Sequence, residues 1–340
     1  MKLLICTQKV SLTDSNLGSF HRWISEFAKH CEQVSVICLE EGRHELPANV
    51  HVYSLGKERG TVSRVQYAFR FWRQMWRLRG QYDAVFVHMN PEYLIMGGGW
   101  WRITHKRVVL WYTHKSVNLR LRIGAFFASV ICTASKESFR LSSNKVQVVG
   151  HGIDTTLFSG APRHDGRIRM ITTGRMSRTK RVLEMLAVCD VLYARELPFQ
   201  FDIAGTHATA DDIAYELEVR RALATKPYRE MVQLLGAVPH AQIPLLLSEH
   251  TVCINLSATG SFDKAVLEAI CVGLAPVSSN EAFRDLLSPY GLYVADGNPE
   301  QLADAIVRAA VLDISALRAK VVAENSLSAL IARIVGILSL

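Results

Sequence analysis

The stretch "RMITTGRMSRTKRVLEML", residues 169–186, decides how the chain is read. A short apolar, β-branched run ends at Thr172-Thr173-Gly174. Arg175 follows, and Lys180 opens the helix that comes next. This is a strand, a glycine turn and a helix start, with cations placed where a helix offers free N–H groups and a partial positive charge. Such a site suits an anion, and a diphosphate best. Taken alone, the same residues also fit an ordinary solvated basic loop.

Outward from this stretch, the same alternation fills the chain. Strands are expected at "KLLIC", "QVSVICL", "NVHVYSL", "DAVFVHM", "RVVLWYT", "SVICTA" and "KVQVVG" in the first half. In the second half they are expected at "RIRMITT", "FQFDIAG", "MVQLLG", "TVCINL", "LAPVSS" and "GLYVA". Helical segments such as "LGSFHRWISEFAKHC", "RVLEMLAVCDVLYARE" and "PEQLADAIVRAAVL" lie between them. Alternating strand and helix argues for an α/β protein with parallel sheets wound on both faces. The pattern restarts near residue 165, and the polar "FSGAPRHDGR", 158–167, reads as a linker. Two doubly wound, Rossmann-like domains facing across a cleft are expected, at 1–160 and 161–340, with the last helix free to pack back on the first. In such sheets ligands bind beyond the carboxyl ends of the strands.

Composition excludes several classes. With 340 residues, 49% apolar and 21% charged, the chain has ample material for large cores and is not a disordered segment. No apolar run approaches the roughly 18 residues that span a bilayer; "IGAFFASVICTA", 123–134, is shorter and flanked by Arg122 and Lys136. "MKLLICTQKV" has too short an apolar core for a signal peptide and reads as a first buried strand. Seven scattered cysteines without a C-x-x-C pair read as reduced core residues of a cytoplasmic protein. Charge is uneven: residues 1–150 carry 21 Lys/Arg against 10 Asp/Glu, and residues 151–340 carry 18 against 21. The first half therefore suits an anionic partner, or simply a basic solvated surface.

A second strand–loop–helix, "SATGSFDKAVLEAICVGLAPVSS" at 257–279, holds one acid, Glu268, in an otherwise almost wholly apolar run from Ala265 to Ser279. A carboxylate there needs partners. It lies on the same helix side as Lys264, so an ion pair is one reading; acceptance of hydrogen bonds from sugar hydroxyls is the other. The small residues before it let backbone N–H groups approach a ligand.

In "SRVQYAFRFWRQMWRLRG", 63–80, Val65, Ala68, Phe69, Trp72, Met75 and Trp76 recur at helical spacing among Arg64, Arg70, Arg73, Arg77 and Arg79. The favoured reading packs this apolar face on the first sheet with the arginines in water. The other lays a basic, Trp-bearing helix on an anionic membrane surface. His88 and His151, at strand ends, read as structural hydrogen-bonding histidines. "GGG" at 97–99 lacks the Gly-x-Gly-x-x-Gly frame of a dinucleotide site, and no His/Cys spacing suggests zinc.

Gly174-Arg175 with Lys180, followed by the acid in "VLEAICVGLAPV", resembles the retaining glycosyltransferases of family 4, which have the GT-B fold and use nucleotide-sugar donors. "ASKESFRL" and "KVQVVGHGIDTTLF" resemble the end of that family's first domain. "DIAG", closing on Gly205, and "VQLLGAVPHAQIPLLL", which holds Val238, resemble the strands lining its nucleotide pocket. By position, the resemblance implies that Gly174, Arg175 and Lys180 hold the diphosphate. It implies that Arg175 and Lys180 stabilise the departing group. Glu268 would bind the ribose, with Ser261, Asp263 and Lys264 at the same donor site. His114, in "LWYTHKS", would face the transferred sugar, and Gly18 matches the glycine-rich first loop, whose second glycine is here Ser19.

One departure stands out: the family's first paired acid is replaced by Gly260, and Asp263 is either its substitute or a helix-start acid. No two aspartates stand two apart, so a D-x-D metal motif is missing and no metal or cofactor is expected beyond a UDP- or GDP-linked donor. The implied activity is transfer of a sugar to a glycan, lipid-linked or other cell-envelope acceptor by a cytoplasmic enzyme attached peripherally at the inner face of the membrane. The rival readings are a GT-B-fold sugar-nucleotide epimerase, an inverting transferase, and a non-catalytic nucleotide-sugar binder. The basic half also raises nucleic acid as a partner, but no nucleic-acid motif supports it.

Overall fold

A computed structural model describes residues 1–14, 17–161, 167–257 and 262–340. The chain divides into two compact units, Met1–Gly152 with Asn325–Leu340, and Ile153–Glu324. The sequence reading divides it at 160/161. Ile153 and Phe158 are buried in the core of the second unit, which sets the division upstream of the linker. Residues 162–166 of that linker lie outside the described residues.

Among the described residues, the first unit runs β1 (Lys2–Val10), α1 (Gly18–His30), β2 (Gln33–Glu41), β3 (Val50–Ser54), α2 (Arg64–Leu78) and β4 (Ala84–His88). It continues with α3 (Pro91–Ile103), β5 (Arg107–Trp111), α4 (Leu119–Phe127), β6 (Val130–Thr133) and β7 (Val146–Val148). The seven strands form one parallel sheet in the order β3-β2-β1-β4-β5-β6-β7. All seven expected strands of this half are present.

Side-chain alternation along these strands builds two cores, one on each face. Leu3, Ile5, Phe86 and Val109 meet Trp23, Ile24 and Phe27 of α1 together with Leu330, Ile331 and Ile334 near the C-terminal end. Leu4, Cys6, Val85, Val87 and Leu110 meet Phe71 and Met75 of α2, Trp101 of α3 and Leu121 of α4.

The second unit holds β8 (Ile168–Thr173), α5 (Val182–Ala194), β9 (Phe199–Ala204), α6 (Ala210–Ala224), β10 (Val232–Gly236) and α7 (Ile243–Ser248). After these come β11 (Val252–Asn255), α8 (Lys264–Val272), β12 (Ala275–Ser278), α9 (Arg284–Leu287), α10 (Pro299–Ala309) and α11 (Ser315–Asn325). The final helix, α12 (Leu327–Ser339), belongs to the first unit. The second sheet is parallel, in the order β10-β9-β8-β11-β12. The order reverses between β8 and β11, and this is the switch point where such sheets take ligands.

The sixth expected strand, "GLYVA", is reduced to a single bridge between Ser278 and Tyr293. Gly291 on one side and Gly297 on the other, both with positive φ, turn the chain away before a ladder extends. All seven cysteines are buried and free. Among the described residues, no helix is long and apolar enough to cross a membrane.

The face of α2 differs from the favoured sequence reading. Ser63 caps the helix in a reciprocal box with Gln66. Its buried residues are Phe71, Met75 and Leu78. Val65, Phe69, Trp72 and Trp76 stand exposed, at 78%, 66%, 49% and 58%. The helix carries two apolar stripes, and the sheet takes the one through Phe71. Phe71→Ala is therefore expected to destabilise the protein by about 3–5 kcal/mol, whereas Phe69→Ala stays within about 0.5 kcal/mol of wild type. Denaturant unfolding of the two variants checks this, and equal losses would contradict the burial of the Phe71 stripe against the sheet.

Candidate donor site at the switch point of the second unit

Three neighbouring strands of the second unit end in glycine turns that are tied together. Gly174 N–H donates to Ala204 O at 2.9 Å, and Gly205 N–H donates to Gly236 O at 2.7 Å. Gly205 has φ +152°, and a Cβ there would lie 1.6 Å from Gly174 O. Any side chain would push the two strand ends apart, so glycine is demanded by contact as well as by conformation. The result is a floor of backbone at the carboxyl ends of β8, β9 and β10.

On that floor stands Lys180. It closes a short 3-10 turn, Arg178–Lys180, and α5 begins only at Val182, after Arg181 in the left-handed region at φ 57°. The expectation that Lys180 opens the helix is corrected by that intervening turn. The Lys180 Nζ reaches across the switch point to Asp263 Oδ2 at 2.5 Å. A Cβ on Gly174 would sit 2.9 Å from Lys180 Cε, so the bare glycine leaves room for the lysine stem.

Asp263 caps α8, accepting from Ala265 N–H at 3.2 Å. Its Oδ2 also accepts from Asn255 Nδ2 at 2.8 Å and from Ser257 Oγ at 3.3 Å, both at the end of β11. Burial alone would raise the Asp263 carboxyl. The Lys180 charge and the hydrogen bonds from Lys180, Asn255 and Ala265 outweigh burial and hold the group below its ordinary value. Asp263 thus has both the helix-start role and a cation to position. Arg175 is more open, at 56% side-chain exposure, with its Nε 3.8 Å from Asp212 Oδ2. Asp212 itself is buried in the capping box of α6 with Thr209.

Glu268 lies five residues beyond Asp263 on α8, about 7.5 Å along the axis, and is 7% exposed. Its Oε1 is 3.8 Å from Lys264 Nζ and 3.3 Å from His240 Nε2. The ion-pair reading of Lys264 holds, and a second partner joins it. His240 follows β10 and packs edge-on to Phe158, with ring centroids 5.3 Å apart. Sequence reasoning missed both His240 and Asn255, although each sits at the carboxyl end of an expected strand. Val238 lies half-buried between Gly236 and His240. Ser261 and Gly260 lie outside the described residues.

The remaining sites belong to the first unit. Gly18 begins α1 and donates its N–H to Asp14 O at 2.9 Å; a Cβ there would meet Leu12 O at 3.1 Å. His114, exposed after β5, accepts at Nδ1 from Ser116 N–H at 3.4 Å. His88 is stacked on Phe20 with centroids 3.8 Å apart and lies 3.3 Å from Thr7 Oγ1. Burial drives its pKa down to about 3, so it stays neutral, as suits a structural histidine. His151 has its backbone N–H bonded to Asn325 Oδ1 at 2.9 Å. Among the described residues, no group of three or more His, Cys, Asp or Glu side chains gathers as metal ligands would.

The Asp263 pairing has a pH consequence. Its folded pKa lies below the unfolded one, so the unfolded chain takes up the proton first as pH falls. Its contribution is complete at neutral pH and is lost as pH drops through the folded value. Asp263→Asn is expected to destabilise the protein by about 1–3 kcal/mol at neutral pH and to flatten the acid limb of the stability curve. Thermal unfolding across the acid range measures both; an unchanged acid limb would contradict the pairing.

Residues 167–310 match the family model described as "Glycosyl transferases group 1". The chain is 24% identical over 201 residues to the GDP-mannose:cellobiosyl-diphosphopolyprenol alpha-mannosyltransferase of Xanthomonas oryzae pv. oryzae (strain PXO99A), covering 57% of this chain and 50% of that protein. It thus spans about half the length of that curated relative. Along its whole length it shares the fold of Anabaena HepE in complex with UDP, with a TM-score of 0.76, 16% identity and 100% of both chains covered. A glycosyltransferase from Rickettsia africae ESF-5 superposes with a TM-score of 0.71 at 13% identity, over 99% of this chain and 98% of the other. Residues 167–310 of the second unit thus carry a group 1 glycosyltransferase domain, within a chain that has the GT-B fold of two Rossmann-like units.

Proposed function

We propose that this protein is a retaining hexosyltransferase of family 4 that moves a sugar from a nucleotide-sugar donor to a lipid-linked glycan of the cell envelope. The observation that carries the reading is the Lys180–Asp263 pair at the switch point, with Glu268 one and a half turns further along α8. A diphosphate on Lys180 and Arg175 would set its ribose near Glu268, whose carboxylate accepts from the two hydroxyls. Asp263 keeps the ammonium aimed at the leaving group, so its charge is in place before the bond breaks. Gly174 and Gly205 give the phosphates close access to backbone, and His240 steadies Glu268 alongside Lys264. Val238 lines the same pocket, and Ser261 is assigned to it from sequence. His114 and Gly18 of the first unit are assigned to the transferred sugar and the acceptor side.

The similarity to GDP-mannose:cellobiosyl-diphosphopolyprenol mannosyltransferases favours a GDP-linked mannose as first donor and a diphosphopolyprenol glycan as first acceptor. We assign the charge neutralisation to Arg175 and Lys180 without a metal ion. We place the enzyme in the cytoplasm, peripheral to the inner membrane face. Asp263 is committed to Lys180, which leaves the contact usually made by an acid at 260 to another group and keeps open the reading of a non-catalytic binder.

Thermal unfolding of the full chain against a panel of UDP- and GDP-sugars identifies the donor, since a ligand of the native state raises its apparent stability. Transfer is then followed with the stabilising donor. Glu268→Gln is expected to lower kcat/KM roughly 10- to 100-fold. His114→Ala should lower kcat with little change in donor KM, and chelator should leave turnover unchanged. Stabilisation by a donor without transfer would overturn the enzyme reading in favour of the binder. Complete loss in chelator would overturn metal independence.

A further inference from the structure

The exposed stripe of α2 packs on α3, whose C-terminal end borders a basic cavity in the same unit. Trp76 packs on Trp100 of α3 with ring centroids 5.5 Å apart, and Trp72 Nε1 donates to Met96 O at 3.0 Å. From α3 the surface runs on through Ile103, 74% exposed, to Arg102, whose guanidinium lies 5.1 Å from the ring centre of Phe126 on α4. Phe126 is 60% exposed. Arg102 and Phe126 then form one wall of a cavity of about 740 Å³ that is also lined by His105, Lys106, Arg107 and Lys145.

The cavity's cationic side chains outnumber its acidic ones. Among the described residues its one acidic side chain is Asp83, whose Oδ2 already accepts from Lys2 N–H at 2.8 Å, and Leu340 with its carboxylate also lines it. Lys145 Nζ is spent on three carbonyls at the end of α4, Ala125, Phe126 and Ala128. Arg107 Nε is buried and has no hydrogen-bond partner among the described residues. Across residues 101–150 there are nine Lys/Arg and a single acid, Glu137. Along α2, Arg73 and Arg77 flank the stripe, and Arg79 covers Trp76 at 4.5 Å.

We propose that this face of the first unit docks on a bilayer containing acidic phospholipid, with Val65, Phe69, Trp72, Trp76, Ile103 and Phe126 entering the headgroup region and a headgroup phosphate seated in the cavity against Arg102 and Arg107. The charge complementarity is to an anionic surface. Half-exposed tryptophans, Trp72 with its N–H already satisfied, suit the boundary between water and acyl chains. Arginine stems cover apolar surface while their heads stay with phosphate. A nucleic acid would use the cations but would leave Val65, Phe69 and Ile103 in water, so it accounts for less of the surface. The inference deepens the membrane part of the proposed function and stands apart from the donor chemistry.

The test is co-sedimentation of the full chain, with no donor present, with vesicles of phosphatidylcholine alone and with added phosphatidylglycerol. Retention is expected only with phosphatidylglycerol, and it should fall as salt rises. Trp72→Ser with Trp76→Ser should abolish it. Arg73→Gln and Arg77→Gln should each weaken it roughly fivefold, as should Arg102→Gln. Melting curves of the variants, together with a blue shift of wild-type tryptophan emission on vesicle addition, keep the result independent of any folding defect. Equal retention on phosphatidylcholine, no retention on either vesicle, or binding of an oligonucleotide in place of vesicles would each overturn the proposal. A chain that transfers sugar to a water-soluble acceptor yet ignores vesicles would sink this inference and leave the proposed activity standing.

Discussion

A single ammonium held across the gap between two non-consecutive strands organises the second unit's site. Lys180 comes from the segment after β8 and Asp263 from the cap of α8, 83 residues later. They meet because the sheet order places β8 beside β11 and because both segments leave those strands at the same edge. The pair is only slightly exposed, so each charge needs the other. Its remaining hydrogen bonds, from Asn255, Ser257 and Ala265, complete the aspartate's acceptor sites and fix its rotamer. An incoming diphosphate would find a cation already oriented and would compete with one carboxylate for it. Preorganisation of this kind is how a site stabilises a leaving group without reorganising during the reaction.

The backbone under that pair is as constrained as the pair itself. Gly205 cannot carry a side chain, because its Cβ would overlap Gly174 O. The two glycines therefore belong to one contact between adjacent turns. That contact keeps the strand ends level, which in turn sets the height of Lys180 relative to α8.

Much of this was legible in the sequence. Short apolar runs separated by helical-period segments identified twelve of the thirteen expected strands, and parallel sheets followed from the alternation of strand and helix. Glu268 stood out because a carboxylate inside an apolar run is costly without partners, and Arg175 and Lys180 because cations at a strand end before a helix start suit an anion. What stayed hidden depended on distance in sequence. Nothing local says that Asp263 meets Lys180, and His240 reads as an ordinary loop histidine until β10 is set beside β9. "GLYVA" has strand-like residues, and only its flanking glycine turns, with φ of +65° and +63°, end the ladder after one bridge. The face of α2 was misjudged because the helix has two apolar stripes. Periodicity cannot tell which of them the sheet receives, since Phe71 and Phe69 differ by little more than half a turn.

The central claim is that the carboxyl ends of β8 to β11, with the start of α8, receive the nucleoside diphosphate of an activated sugar. Amide hydrogen exchange of the full chain with and without the nucleoside diphosphate tests it most directly. The account predicts slowed exchange concentrated at Gly174–Lys180, Gly205, Gly236–His240 and the first turns of α8, with the sheet centres unaltered. Protection confined to other segments, or none at a saturating concentration, would contradict it.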